Sequence, residues 1–350
     1  MPYDVFRNNL APYFDRKTSS ICNRCSKNLY SKVSSRDFSF TNIDSLADLN
    51  QDLLKLNLRG CQNITDLEPL SKLKLTHLNL SQCRRIYVES MRHLRDVPLT
   101  HLELGNSSTT QNGLVLFPSS EDTFRLEYIL RNELIYLGLA SSFVSGSLMY
   151  RLSQLSLQYL DLSYCSSANG IDIRQFPKSL QYLSLSNCTI NNLELLEFFS
   201  LKYLDLSHCT IDNLEFLKGL SSLKYLDLSN CKITNCDISC LRDLPLEFLD
   251  LSYCGIQDRD MEILKDIPLK YLNLSGCPIT DIGLEYLYGK SFIFEMTDNN
   301  NITDAAVQTY LGSMAYNLTS WMIPSSRSDP KVNKNELKCK YLSEFGLWKW

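Results

Sequence analysis

The dominant pattern along the chain is nine residues long, L-x-x-L-x-L-x-x-C. Leucine holds its first, fourth and sixth positions, polar or aromatic residues fill the gaps, and cysteine usually closes it. It is complete at Leu53-Leu56-Leu58-Cys61, Leu75-Leu78-Leu80-Cys83, Leu157-Leu160-Leu162-Cys165 and Leu180-Leu183-Leu185-Cys188. It recurs at Leu201-Leu204-Leu206-Cys209, Leu223-Leu226-Leu228-Cys231, Leu246-Leu249-Leu251-Cys254 and Leu269-Leu272-Leu274-Cys277. Three further copies lack the cysteine: Leu99-Leu102-Leu104-Ser107, Leu134-Leu137-Leu139-Ser142 and Ser291-Phe294-Met296-Asn299. The eleven copies start 22, 24, 35, 23, 23, 21, 22, 23, 23 and 22 residues apart. A fixed period of this length marks a solenoid rather than a set of ordinary domains.

The period predicts a short strand in each copy. Side chains alternate along a strand, so the second and third leucines point inward together. Stacked in parallel, the copies give a curved sheet lined inside by leucine, each repeat touching only its neighbours. The ninth residue turns the chain out of the strand. A small polar group there can hydrogen-bond the loop backbone of the adjacent turn, whose groups would otherwise be buried and unpaired. The cysteines therefore read as structural. Metal ligation needs thiolates converging on one point, whereas a ladder spaces them about 4.8 Å apart in a row. On the return path, Asp258 to Ile267 and Asp281 to Tyr288 read as short helices, with Asp258 or Asp281 as N-caps.

The third and fifth positions of each copy face away from the leucines, onto the concave side. The third column reads Lys55, His77, His101, Tyr136, Tyr159, Tyr182, Tyr203, Tyr225, Phe248, Tyr271, Ile293. The fifth reads Asn57, Asn79, Glu103, Gly138, Asp161, Ser184, Asp205, Asp227, Asp250, Asn273, Glu295. An aromatic stripe beside an acidic one gives a candidate partner-binding face: Tyr159, Asp161, Tyr182, Tyr203, Asp205, Tyr225, Asp227, Phe248, Asp250 and Tyr271. Exposed aromatics are typical anchors at interfaces, and this stripe would suit a protein or peptide with basic and apolar residues. The other reading is that Tyr and Asp recur because they suit the strand and its neighbours.

Composition narrows the partners. The 350 residues carry a formal net charge of −4, which argues against a phosphate-tracking surface and hence against nucleic acid. No window reaches the run of about 18–20 apolar residues that a membrane span needs, so no membrane partner is expected. The first residues lack the charged and apolar regions of a secretory signal, which predicts a soluble chain of the cytoplasm or nucleus. There the thirteen cysteines would stay reduced. No phosphate-binding glycine loop, Gly-x-Ser-x-Gly elbow or His-Glu-x-x-His occurs, and His77, His93, His101 and His208 have no partner arrangement for catalysis. No enzyme, cofactor or metal is expected.

These repeats resemble the leucine-rich-repeat family over roughly residues 50–300. The resemblance implies an α/β solenoid with a parallel concave sheet and short helices or 3-10 turns on the convex side. The units look mixed. Ile211-Asp-Asn-Leu-Glu-Phe-Leu is similar to the short internalin-like class, and Ile279-Thr-Asp-Ile-Gly-Leu-Glu-Tyr-Leu to the cysteine-containing class common in F-box proteins. Three spans follow: 1–34 as a helical N-terminal segment or cap, 35–323 as the solenoid with Leu318, Trp321 and Ile323 as a last degenerate unit, and 324–350 as a linker and capping helix. An insertion at 106–132 accounts for the long step, and reads either as a functional loop or as a lengthened loop with a short helix.

Residues 2–33 depart from the repeat and resemble an F-box, the helical module that ties a substrate receptor to the Skp-type adaptor of a cullin–RING ubiquitin ligase. The matching residues are Pro2, Asp4-Val5-Phe6, Asn9-Leu10, Tyr13-Phe14-Asp15 and Cys25-Ser26-Lys27-Asn28-Leu29. The resemblance implies that Pro2, Val5, Phe6, Leu10, Phe14, Ile21 and Leu29 would contact the adaptor, as an apolar helix face in a groove. It implies a cullin partner and a protein substrate held on the concave face. The segment departs from the family at Met1, at Lys17-Thr18-Ser19-Ser20 and at Leu29, where Trp is usual. Ser20-Ile21 followed by Cys25 and Leu29 also approximates an elongin-type adaptor box, and a plain N-terminal cap accounts for the same residues.

Overall fold

The computed structural model describes residues 35–313 apart from 42, 87, 106–132, 168, 235–236 and 291. Twelve three-residue strands form one parallel sheet whose spatial order is the chain order. They are β1 (Ser35–Asp37), β2 (Lys55–Asn57), β3 (His77–Asn79), β4 (His101–Glu103), β5 (Tyr136–Gly138) and β6 (Tyr159–Asp161). They continue as β7 (Tyr182–Ser184), β8 (Tyr203–Asp205), β9 (Tyr225–Asp227), β10 (Phe248–Asp250), β11 (Tyr271–Asn273) and β12 (Ile293–Glu295). The register aligns like with like: Tyr203 lies between Tyr182 and Tyr225, and Leu204 between Leu183 and Leu226. This is the parallel solenoid that the period implies.

Eleven strands coincide with the eleven copies, and β1 adds a twelfth. Arg36 stands in β1 where the inward leucine belongs, so the pattern is broken although the backbone is not. As the terminal strand, β1 has a repeat on one side only, which tolerates a polar residue at that place.

The short period leaves little chain for the return, and most of it winds as 3-10 turns, at Glu68–Lys72, Val88–Leu94, Ile173–Gln175, Leu193–Phe198, Glu215–Gly219 and Ser239–Leu241. Four α-helices occur among the described residues: α1 (Gly146–Leu152), α2 (Met261–Leu264, entered through a 3-10 turn at Asp258–Asp260), α3 (Asp281–Glu285) and α4 (Asp304–Ser313). The caps differ from expectation. Gln257 begins the first of the two expected helices, its N–H donating to Asp260 Oδ2 at 2.9 Å, and Thr280 caps α3. Asp258 instead clamps the next repeat, accepting from Thr280 N–H (2.8 Å) and Oγ1–H (2.6 Å). Asp281 grips Thr303 in the same way. A carboxylate at the start of a turn can face its own helix or its neighbour, and here the neighbouring threonine supplies two donors.

The inward leucines at both strand positions are buried throughout, as in Leu56, Leu58, Leu204, Leu206, Leu249 and Leu251. Beneath them runs the cysteine ladder. Cys61 donates to the Phe38 carbonyl (3.1 Å), and the later thiols donate to the carbonyl of the third leucine in the preceding repeat: Cys83 to Leu58 (2.9 Å), Cys188 to Leu162 (3.0 Å), Cys209 to Leu185 (3.2 Å) and Cys254 to Leu228 (2.8 Å). In the last repeat Asn299 Nδ2 donates to Leu274 and Cys277 carbonyls, both at 3.1 Å. The structural reading of these cysteines holds. Burial pushes the Cys83 and Cys188 thiols up to about 12, so they remain protonated donors.

The eighth position adopts the left-handed backbone in repeat after repeat: Gln82, Ser141, Tyr164, Asn187, His208, Asn230, Tyr253 and Asp298 have φ between 55° and 62°. That conformation strains a residue bearing Cβ. Part of the strain is offset because from Gln82 to Tyr253 each of these N–H groups meets a carbonyl of the next repeat, as Tyr164 N does with Ser186 O at 2.7 Å. These side chains then project at the rim of the sheet. Tyr164 and Tyr253 are exposed there.

The adaptor-binding candidates Pro2, Val5, Phe6, Leu10, Phe14, Ile21 and Leu29, the insertion at 106–132, the expected last unit at Leu318, Trp321 and Ile323, and the expected linker and capping helix of 324–350 lie outside the described residues.

Candidate recognition surface

The strands place the aromatic column where the alternation puts it, on the concave face, but its rings are not open to solvent. From Tyr136 to Tyr271 no ring of the column is more than 3% exposed. The rings cover one another. Tyr159 and Tyr182 stack with centroids 3.8 Å apart, Tyr182 and Tyr203 at 3.9 Å, Tyr203 and Tyr225 at 3.9 Å, Tyr225 and Phe248 at 4.0 Å, and Phe248 and Tyr271 at 4.2 Å. Interplanar angles of 18° or less keep them near parallel. Parallel strands lie about 4.8 Å apart. A concave curve narrows that spacing above the sheet, close to the thickness of an aromatic ring. Identical residues in register therefore stack into a second apolar core, and Ile293 packs against its C-terminal end. The reading of Tyr159, Tyr182, Tyr203, Tyr225, Phe248 and Tyr271 as solvent-exposed anchors is corrected: the same recurrence that marks a stripe also seals it.

The acidic column is likewise turned inward. Asp205, Asp227 and Asp250 are 6%, 2% and 1% exposed, and Asp161 is half-buried. Each Oδ1 accepts the N–H two residues on, at Ser163 (2.9 Å), Ser207 (3.1 Å), Ser229 (3.0 Å) and Ser252 (3.0 Å). Ser163, Ser207 and Ser252 add their hydroxyls to the same oxygens. Asn57, Asn79 and Asn273 make the same Asx turn in their repeats. The fifth position thus ends the strand and turns the chain, a local use of Asp and Asn that explains their recurrence. Burial above all, with neighbouring carboxylates adding to it, holds the phenols of Tyr182 and Tyr225 well above the ordinary tyrosine range.

Solvent reaches the concave side at its ends and rims. The second position of each copy borders the sealed column and changes from repeat to repeat: Leu54, Thr76, Thr100, Ile135, Gln158, Gln181, Lys202, Lys224, Glu247, Lys270. Lys224 and Lys270 both bind Glu247, the first at 2.8 Å, and hold its carboxyl below the usual range. On the other rim the eighth positions present Tyr164, Asn187, His208, Asn230 and Tyr253, all exposed.

The N-terminal end of the third column is different again. Lys55, His77 and His101 occupy successive strands and are only half-buried. The two imidazoles stack at 3.9 Å and 10°, and His101 lies at a looser 5.6 Å from Tyr136. Glu103, from the fifth column, reaches across to accept from the Tyr136 hydroxyl, passing over Gly138, where any Cβ would collide with its carboxylate. A charge count by segment exposes this region in the sequence. Residues 55–95 hold eight basic and three acidic residues, whereas residues 96–313 hold 14 and 27. The whole-chain charge of −4 conceals that asymmetry.

Among the described residues no cluster of three or more His, Cys, Asp or Glu side chains has the arrangement of a metal site, and no helix is long and apolar enough to cross a membrane. Comparison with known proteins agrees with the architecture. A model of leucine-rich repeats in two copies matches residues 199–243, and a second leucine-rich-repeat model matches 244–264 and 266–287. Among solved structures, an internalin (inlF) from Listeria monocytogenes aligns at 18% identity over 81% of this chain and 86% of its own, with a TM-score of 0.53. The functional domain of InlJ from the same organism, which includes a cysteine ladder, aligns at 19% identity over 78% of this chain and 55% of its own, with a TM-score of 0.47. The mouse RP105/MD-1 complex aligns at 18% identity over 77% of this chain and 51% of that chain, also at 0.47. No curated protein matches the chain. The fold is a leucine-rich-repeat solenoid.

Proposed function

We propose that the chain is a non-enzymatic protein-recognition scaffold whose partner is read by the exposed residues bordering the sealed aromatic column. One observation carries this reading. The third, fourth, fifth and sixth positions repeat one chemistry from β6 to β11 and are mostly buried, while the second and eighth positions vary between repeats and reach solvent. A rigid frame with varied exposed columns holds its contact groups in place before binding, which lowers the ordering cost of association. The concave target site of the sequence reading therefore moves from the Tyr and Asp columns to their rims and to the N-terminal strands.

The finer reading is that the scaffold is a substrate receptor of a cullin–RING ligase in the cytoplasm or nucleus, docked through residues 1–34 to a Skp-type adaptor. It is supported by the motif from Pro2 to Leu29 and by its pairing with these repeats. Affinity capture with the full-length chain and a chain lacking residues 1–34 tests it. Adaptor and cullin subunits recovered only with the full-length bait are expected. A partner retained by both baits with no adaptor on either would leave a recognition scaffold without a ligase. If the chain is instead an elongin-type receptor, elongin subunits replace the Skp-type adaptor.

A further inference from the structure

Three candidates stand outside that reading: the row of buried carboxylates, the exposed Ile282 on α3 with Tyr286 just beyond its end, and the basic residues at the N-terminal strands. The carboxylates serve the Asx turns, and nothing shows what would cover α3. The basic strands carry an inference that rests on the recognition reading and deepens it. We infer that the concave face of β2–β4 is the docking site for an acidic protein segment, gripped by Lys55, Arg59, His77 and His101.

The geometry supports this in three ways. First, Lys55, His77 and His101 share one column on adjacent strands, and Arg59 stands four residues beyond Lys55 along the same repeat, exposed at the rim with its guanidinium 5.6 Å from the Phe40 ring. Second, hydrogen bonds hold the two histidine rings in place. The hydroxyls of Thr76 and Thr100 lie 3.1 Å from the Leu54 and Thr76 carbonyls of the preceding repeat and 2.9 Å from Nδ1 of His77 and His101. Nδ1 of each ring is thus engaged within the protein, and the two rings stack near parallel. Third, the repeats of residues 55–95 carry eight basic and three acidic residues against 14 and 27 over 96–313, although Lys72 and Arg92 belong to the 3-10 turns of the return path and only Lys55 and Arg59 stand beside the histidine pair. Among the described residues, the charged or titratable groups near the pair are Lys55 on β2, Tyr136 on β5, whose ring lies 5.6 Å from His101, and Glu103 on β4, which is bonded to Tyr136. At the β1 end the neighbouring residues are Ser35 and Asp37, the latter holding the N–H of Ser39.

Burial lowers both imidazoles to about 4, and Lys55 presses further in that direction, so the unoccupied pair is neutral near pH 7. An arriving carboxylate reverses the balance by stabilising the imidazolium form, so docking takes up protons. A nucleic acid fits less well. Single strands are held by stacking on open rings, and the aromatic rings here stack on one another. A long polyanion would also have to run along the acidic remainder of the solenoid.

The test uses the full-length chain with an oligo-aspartate peptide, an oligothymidylate of equal length, and isothermal titration calorimetry from pH 7.5 to 5. Peptide binding should tighten as pH falls, with net proton uptake, and weaken by about tenfold in Lys55→Gln/Arg59→Gln. His77→Gln/His101→Gln should bind the peptide more weakly than the parent and lose the pH dependence. Binding unaffected by the Lys55 and Arg59 changes, or oligothymidylate bound as tightly as the peptide, would overturn the inference. So would a pH dependence that survives loss of both histidines. Substituting the rim residues Tyr164 and Lys270 in a captured partner's assay separates the two levels: a partner that needs the rim but ignores Lys55 and Arg59 leaves the scaffold reading intact and removes this one.

Discussion

Two stretches of one column behave oppositely. From Tyr136 to Tyr271 the third position is a closed stack of rings. From Lys55 to His101 the same position is half-open and polar. Backbone, register and face are shared, so none of these decides exposure. What differs is the length and size of the stack: seven large rings in unbroken succession from Tyr136 to Tyr271, against one pair of smaller imidazoles that ends at Lys55. Repetition of a large planar side chain turns a concave surface into core, and interruption of the repetition reopens it.

The sharpest way to break the comparison is to cut one residue from each stretch. Tyr203→Ala removes a ring held between two others, and the expected cost is about 3–5 kcal/mol, the usual range for a large buried aromatic. His101→Ala, at the looser end, should cost under about 1 kcal/mol, as for a partly exposed residue. Denaturant unfolding of the two variants gives both numbers. It follows that replacing Tyr203, Tyr225 and Tyr271 with Ser would unfold much of the sheet, whereas an exposed stripe would have tolerated it. Equal small losses in both stretches would undo the distinction.

Smaller effects test the polar frame beneath the two stretches. Cys209→Ala removes the thiol donor from the Leu185 carbonyl, which still accepts the Cys188 N–H, and a loss of about 0.5–1.5 kcal/mol is expected for one hydrogen bond. In the unaltered protein the ladder thiols should resist alkylation until the chain unfolds. Asp227→Asn keeps the Oδ1 that receives the Ser229 N–H and should be near neutral, while Asp227→Ala should cost about 1 kcal/mol, the typical worth of one hydrogen bond. If the Asp column served only binding, the two substitutions would be equally harmless in unfolding experiments.

The smallest expected effect is a pH dependence confined to the open stretch. His77 and His101 sit at about 4 in the folded chain, against about 6.5 unfolded. The unfolded state thus binds protons first as pH falls. The stabilising contribution of the neutral pair is complete above pH 6.5 and is lost progressively towards pH 4. Solvent screening makes the slope shallow. His77→Gln/His101→Gln should flatten the melting temperature across that window relative to the parent.

Much of this was legible in the sequence. Leucine spacing gave the parallel sheet, and the ninth position gave the thiol–carbonyl bonds, because each follows from local geometry and the demand that buried backbone be paired. Arg36 hid β1 because a terminal repeat can drop its inward leucine. Asp258 and Asp281 were misplaced as caps because the competing donors, Thr280 and Thr303, belong to the next repeat. The exposure of the Tyr column could not be read from alternation, which assigns a face but not what lies 4 Å above and below each ring. The basic stretch of 55–95 was visible all along in the charge counts, yet was lost in the whole-chain total.

Native-state nitration with tetranitromethane, mapped by mass spectrometry at low modification, addresses the sealed column most directly. Tyr150 and Tyr164, which are 62% and 56% exposed, should be modified first, while Tyr136, Tyr159, Tyr182, Tyr203, Tyr225 and Tyr271 stay unmodified until the chain unfolds. Modification of the column tyrosines at rates near those of Tyr150 and Tyr164 in the folded protein would contradict the sealed stack and restore the stripe as an open binding face.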